Sequence, residues 1–358
     1  MAACCAFAAL ALASSCRPAQ TTSHEGDKPA DAASSPSVAV IDAAPAPQSI
    51  ADAAVEATTA AKPPAKLHMD TREELLSLFT IKEFSEKEKQ TIKPDAYLRS
   101  VFNPAGPQWA NQGNPAIAQH SISREKCLEG LKDIVIQTPE QKAKCGAENM
   151  VPVWTKGKDP WFCIDVFEFP NKPCELPIVW IMPPHAKKIC ELQGKRLCSD
   201  IEWNIACRGD PEGGEDWKYA YGSKYDLEIC HTNLRHRTPC VVRDAKSTWN
   251  TCTTDTEPSG SFPKCRSRFG VFDQHGNVAE VMMRRESQTS VVTQLKGSAW
   301  FYVELAREPG QPVPETTTNK SGAYPDHCNF DPRWHVEKLD QAMHVNYHLG
   351  FRCCKSIP

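Results

Sequence analysis

The sequence predicts an α+β domain with few regular elements, braced by disulfides rather than by a large sheet, and three observations predict it. Two short helices are signalled close together between Pro183 and Gly209. Upstream, Met150 to Val153 and Trp161 to Glu168 carry strand-like apolar patterning. Downstream, residues 210–266 are so rich in Gly, Pro, Asp, Thr and Cys that long irregular loops are expected there.

In chain order, the apolar run from Ala2 to Ala13 is too short to span a bilayer and reads as the core of a signal peptide over residues 1–16. It ends in Ala13-Ser14-Ser15-Cys16, small residues before a cysteine that resemble a bacterial lipoprotein processing site. Acylated Cys16 would then be the new N-terminus and a membrane anchor. The chain is thus expected in the bacterial cell envelope as a lipoprotein, or free in the periplasm or outside the cell. Residues 17–66 are mainly Ala, Pro, Ser and Thr, with too few large apolar side chains to offset the entropy of ordering, so they read as a disordered linker.

Residues 67–144 read as a short helical preface. Thr71 and Glu74 cap a run containing Leu75, Leu78 and Phe79, and Ser123 opens a second helix reaching toward Ile134. The main domain, residues 145–358, starts with the two strands. Pro183-Pro184, with Ala186, Ile189 and Cys190 and a stop at Gly194, predicts one helix. Ser199 and Glu202 form the capping box of the next, whose Trp203, Ala206 and Cys207 share a face. Gly209 is expected to close it through a positive φ.

Seventeen cysteines, none in a Cys-x-x-Cys pair, argue for an oxidising compartment and against zinc fingers. Setting aside Cys4, Cys5 and Cys16 leaves fourteen, an even number, enough for seven disulfides. Adjacent Cys353 and Cys354 would point to opposite faces of a strand, each toward a distant partner. A net charge of −3 and the absence of any basic run exclude a nucleic-acid binder.

Gly194-Lys-Arg-Leu-x-Ser-x-x-Glu-Trp-x-x-Ala-x-Arg-Gly209 is followed by Tyr219-Ala220-Tyr221-Gly222, then Gly270-Val271-Phe272-Asp273-x-x-Gly276-Asn277-Val278-Ala279-Glu280. Lys296-Gly297-Ser298-Ala299-Trp300 and Gly350-Phe351-Arg352-Cys353 come next. This ordered set, covering residues 145–358, resembles the formylglycine-generating enzyme family, also called the sulfatase-modifying factor domain. The resemblance implies that family's fold, a variant of the C-type lectin architecture.

It also implies a structural calcium held by the Asp273 side chain, the carbonyls of Gly276 and Val278, and the Glu280 carboxylate. The residues alone suit such an ion, because two carboxylates flank a tight turn and hard oxygen donors favour calcium. A second calcium site would begin at Thr232-Asn233-Leu234, without an identifiable carboxylate. Catalysis in the family requires copper on two thiolates about five residues apart, between the Trp300 and Gly350 positions. Here that window holds Cys328 alone, with Ala323 five residues before it. Among the histidines there, a strand would place His344 and His348 on one face.

Two functions follow. The favoured one is a non-catalytic binding or envelope-structural scaffold whose ligand is a protein, a peptide or a cell-envelope component. The alternative is a copper-dependent oxidoreductase of cysteine-containing polypeptides, with Cys328 as its catalytic residue.

Overall fold

The computed structural model describes residues 66–226, 228–232, 234–235, 239–302, 327–332 and 335–357. The expectations for residues 1–16, for nearly all of 17–66, for Asn233 and for Ala323 lie outside the described residues. In order, the helices are α1 Arg72–Ser77, α2 Glu86–Ile92, α3 Pro94–Val101, α4 Arg124–Leu131, α5 Pro139–Cys145, α6 Pro183–Leu192, α7 Asp200–Arg208 and α8 Ala245–Thr251. The strands are β1 Met150–Val153, β2 Phe162–Asp165, β3 Arg196–Leu197, β4 Leu234–Arg235, β5 Ala279–Arg285, β6 Val291–Lys296, β7 Phe301–Tyr302, β8 Leu349–Gly350 and β9 Cys353–Ser356. The α+β class with little regular structure is what the sequence predicted.

Capping chemistry sets the helix starts. Reciprocal boxes form at Thr71 with Glu74 and at Ser199 with Glu202, satisfying N-terminal amides that have no partner within the helix. Three preface helices were not anticipated. α2 has a capping box, Ser85 with Glu88, but no buried residue, so it lacks the apolar stripe that periodicity detects. Leu75, Leu98, Val101 and Phe102 nevertheless share one apolar cluster with Ile178, Ile189, Leu192 and Phe351, so preface and main domain bury a common surface.

The larger sheet has the order β1-β2-β9-β3, antiparallel throughout, so the C-terminal strand lies in its middle. β5 pairs antiparallel with β6 and parallel with β8. This hairpin escaped the sequence reading because Ala279 to Met282 are all buried, giving a continuous run in place of an alternation. The second predicted strand is trimmed to Phe162–Asp165, since the chain turns at Val166 to reach a cis Phe169-Pro170 bond.

Gly209 corrects one expectation. Its φ is −68°, an extended conformation open to any residue. What excludes a side chain is space, because a Cβ there would lie 2.6 Å from the Ile205 carbonyl oxygen and 3.2 Å from the Phe269 ring.

Seven disulfides join all fourteen cysteines of the described residues: Cys127–Cys174, Cys145–Cys163, Cys190–Cys353, Cys198–Cys354, Cys207–Cys328, Cys230–Cys265 and Cys240–Cys252. Cys353 and Cys354 do pair to opposite sides, one with α6 and one with the residue before the α7 cap. Alkylation of the native, unreduced chain should therefore label none of these fourteen. Label on four or more would contradict the pairing.

Candidate functional site

Arg352, fully buried just before β9, organises the centre of the main domain. Its Nε donates to Glu280 Oε2 at 2.7 Å and its Nη2 to Glu280 Oε1 at 2.5 Å. The remaining donors meet the carbonyls of Asp165, Val166 and Phe272 at 3.1, 3.3 and 2.9 Å. Trp203 of α7 adds an indole N–H to Glu280 Oε2 at 3.0 Å. One side chain thus ties β9 to β5, the end of β2 and the 270–280 turn.

The residues predicted to hold calcium lie around this pair. Asp273 Oδ2 accepts from the Gly260 amide at 2.6 Å, and the Gly276 amide donates to Ser298 Oγ at 2.9 Å. Gly276 has φ +79°, and a Cβ there would lie 2.3 Å from the His231 carbonyl oxygen, so only glycine makes this turn. The Val278 amide donates to Glu168 Oε1 at 2.9 Å, and Asn277 Nδ2 donates to Glu168 Oε2 at 2.6 Å. Glu168, at the end of the strand-like stretch that starts at Trp161, is thereby a member of the cluster.

Three buried carboxylates face one guanidinium. Burial, with a smaller repulsion from Glu280, pushes Asp273 up to about 7. Burial and the neighbouring Asp273 and Glu280 carboxylates push Glu168 well above the usual range. All three carboxylates offer oxygen donors, the type a hard cation takes. Glu280 is already engaged by Arg352 and Trp203, which leaves Asp273 as the ligand least committed elsewhere.

A second buried cluster lies across α7, where Cys207 follows Trp203 by one helical turn. Cys328 is not a free thiol: it is bonded to Cys207, and its amide donates to the Lys218 carbonyl at 2.9 Å. His275 Nε2 lies 3.5 Å from Cys207 Sγ and 3.9 Å from Cys328 Sγ, and it accepts from the Ala220 amide at 2.9 Å. Tyr219, Tyr221 and Trp203 present ring edges around the imidazole, 5.6 to 6.4 Å away. Burial, then His327 and Lys296, lower His275 to about 3, so it is neutral. Among the described residues, Cys207, His275 and Cys328 form the one group of three or more potential metal ligands with atoms within 4.8 Å of one another. Sequence reading passed over His275, which sits inside a motif read for its carboxylates.

Among the described residues, His327, His335, His344 and His348 form no group of three or more potential metal ligands. Residues 344–348 form no strand. His344 stacks on His335 with centroids 3.8 Å apart, and His348 packs against Trp300, Phe301 and Tyr347.

Beside the disulfide cluster, a cavity of about 620 Å³ is lined by Trp217, Tyr221, Ile229, Lys264, Arg266 and Arg268, among others. Arg268 stacks on Trp217 at 3.7 Å and pairs with Asp210 at 3.0 Å, while Lys264 and Arg266 are exposed. Loops build this cavity, and Cys230–Cys265 cross-links two of them.

A family model described as "Sulfatase-modifying factor enzyme 1-like domain" matches residues 154–357. Among solved structures, the crystal structure of CarF is similar at 12% identity and a TM-score of 0.36, covering 59% of this chain and 97% of that one. The Major Tropism Determinant U1 variant is similar at 10% identity and a TM-score of 0.27, covering 58% of this chain and 52% of that one. No curated protein matches.

Removing Arg352 leaves the Glu280 carboxylate buried without its cation. Arg352→Gln should lower unfolding free energy by about 3–5 kcal/mol in chemical denaturation. A loss below about 1 kcal/mol would mean that the pair does not organise this centre.

Proposed function

This chain belongs to the sulfatase-modifying factor enzyme 1-like domain family, and from that membership we propose a non-catalytic binding scaffold of an oxidising, exported compartment. The observation that carries the reading is the Cys207–Cys328 disulfide. Copper oxidation by the family mechanism needs two thiolates, and the one cysteine of the expected window is consumed as a disulfide. Fold membership alone does not carry activity with it.

Seven disulfides among the described residues accord with an extracellular or envelope location. No helix of the described residues is long and apolar enough to cross a membrane. Attachment through acylated Cys16, with residues 17–66 as tether, is the proposed means of display. The loop-built cavity beside Trp217 and Tyr221 is the proposed binding surface, its cationic rim favouring an anionic group on a protein, peptide or envelope ligand.

Calcium is part of the same proposal. Asp273 and Glu280, with the carbonyls of Gly276 and Val278, would hold the ion, and its charge would offset the carboxylate excess around Arg352. Its contribution would be structural, stiffening the turn behind the loop cavity.

Two outcomes test these readings. The mature oxidised chain, supplied with copper and oxygen, should not convert a cysteine-containing sulfatase peptide to the aldehyde. Turnover lost on Cys328→Ser would replace the scaffold by the oxidoreductase. For calcium, chelator should lower the wild-type melting temperature and leave Asp273→Ala unchanged. The linkage contribution is ~2.7 kcal/mol at a hundredfold excess of ion over its Kd. Identical wild-type melting with and without chelator would remove the ion from the account.

A further inference from the structure

Two histidines meet where residues 1–65 join the described chain. His68 Nε2 lies 2.7 Å from His120 Nε2, with ring centroids 4.8 Å apart. His120 Nδ1 meets the Thr256 carbonyl, which can only accept, so that nitrogen carries a proton. The contact between the two Nε2 atoms then holds with both rings neutral, or with one charged and donating to the other. With both charged, each Nε2 carries a proton, the hydrogen bond is lost and like charges face each other.

His120 belongs to a strap, residues 119–122, laid along residues 255–257. The Gln119 amide donates to Asp255 Oδ1 at 2.9 Å, and the Ser121 and Ile122 amides donate to Glu257 Oε1 and Oε2 at 2.8 and 3.0 Å. Residues 66–69 are in turn held by the His68 contact, by Arg124 Nη1 donating to the Lys66 carbonyl at 2.9 Å, and by the Met69 amide donating to Gln112 Oε1 at 2.9 Å.

We propose that His68 and His120 form an acid-released latch, in which charging both rings frees residues 66–69 from the strap while the domain beneath stays folded. The charged and titratable groups around the pair are Lys66 and Asp70 on the same segment, Glu74 of α1 and Arg124 of α4, with Asp255, Glu257 and His231 on the strap's other side. His231 is turned away, its Nε2 on the Asp255 carbonyl at 2.8 Å and its ring stacked on Phe262. Burial, then the His120 ring, lower His68 to about 4, with Asp70 opposing. A freed His68 returns to its ordinary 6.5 and binds protons more readily than the latched ring. The latch is therefore complete above about pH 6.5 and weakens as pH falls toward about 4. Neither histidine belongs to the Arg352 cluster or the loop cavity, so the latch is independent of the binding and calcium readings.

The test is hydrogen exchange of the full oxidised chain, read by mass spectrometry with labelling times scaled for the intrinsic effect of pH on exchange. Between about pH 7.5 and about pH 4.5, residues 66–69 should lose about tenfold or more of their protection while β5 and β6 keep theirs. His68→Gln keeps a donor toward His120 without titrating, and it should hold protection near its high-pH value throughout. In the wild type, exchange at the imidazole C2 position should show His68 titrating below its ordinary range, a reading that needs no variant. Unchanged wild-type protection would overturn the latch. So would a fall that persists in His68→Gln, which would assign it to Asp255, Glu257 or His231, or an equal loss in β5 and β6, which would make the opening global. Titration of His68 at its ordinary value would overturn it as well.

Discussion

The buried pair of Arg352 and Glu280 is the interaction on which the rest of the main domain depends. Desolvating both charges is expensive, and their attraction offsets that cost only when the geometry is good and every remaining donor finds an acceptor. Here the guanidinium meets both carboxylate oxygens and three carbonyls, while the indole of Trp203 meets the carboxylate from α7. The pair specifies arrangement more than it adds stability. Arg352 is fixed by β9 in the middle of the larger sheet, Glu280 by β5 in the hairpin, and Trp203 by a capped helix. Cys207, one turn along that helix, is bonded to Cys328, so the helix that reaches the structural centre also carries this cross-link.

Disulfides do for the periphery what the ion pair does for the centre. With few ladder hydrogen bonds across residues 210–266, ordering these loops must be offset elsewhere, and cross-links reduce the freedom of the unfolded chain. Cys190–Cys353, Cys198–Cys354 and Cys207–Cys328 close separations of 163, 156 and 121 residues, while Cys230–Cys265 and Cys240–Cys252 staple local loops. The cavity beside Trp217 thus has walls fixed by covalent bonds although almost none of it is helix or strand.

What the sequence revealed, and what it hid, follows from the range of each signal. Capping boxes at Thr71 and Ser199, the strand at Met150 and the opposed pairings of Cys353 and Cys354 are local chemistry and were readable. α2 and the β5–β6 hairpin lack amphipathic contrast, one having no buried residue and the other being buried on both faces through Ala279 to Met282. Gly209 was read for its backbone freedom when its role is steric, a distinction only the neighbouring Ile205 and Phe269 reveal. His275 stands 68 residues from Cys207 and 53 from Cys328, so nothing in its sequence surroundings marks it. Parity suggested that Cys328 was paired; only the folded chain identified its partner.

The proposed non-catalytic reading rests on that one bond. Mass spectrometry of a non-reduced digest of the mature chain tests it most directly. The account predicts a cross-linked peptide pair joining Cys207 to Cys328 in stoichiometric yield. Recovery of Cys328 as a free thiol, or joined to any other cysteine, would contradict it.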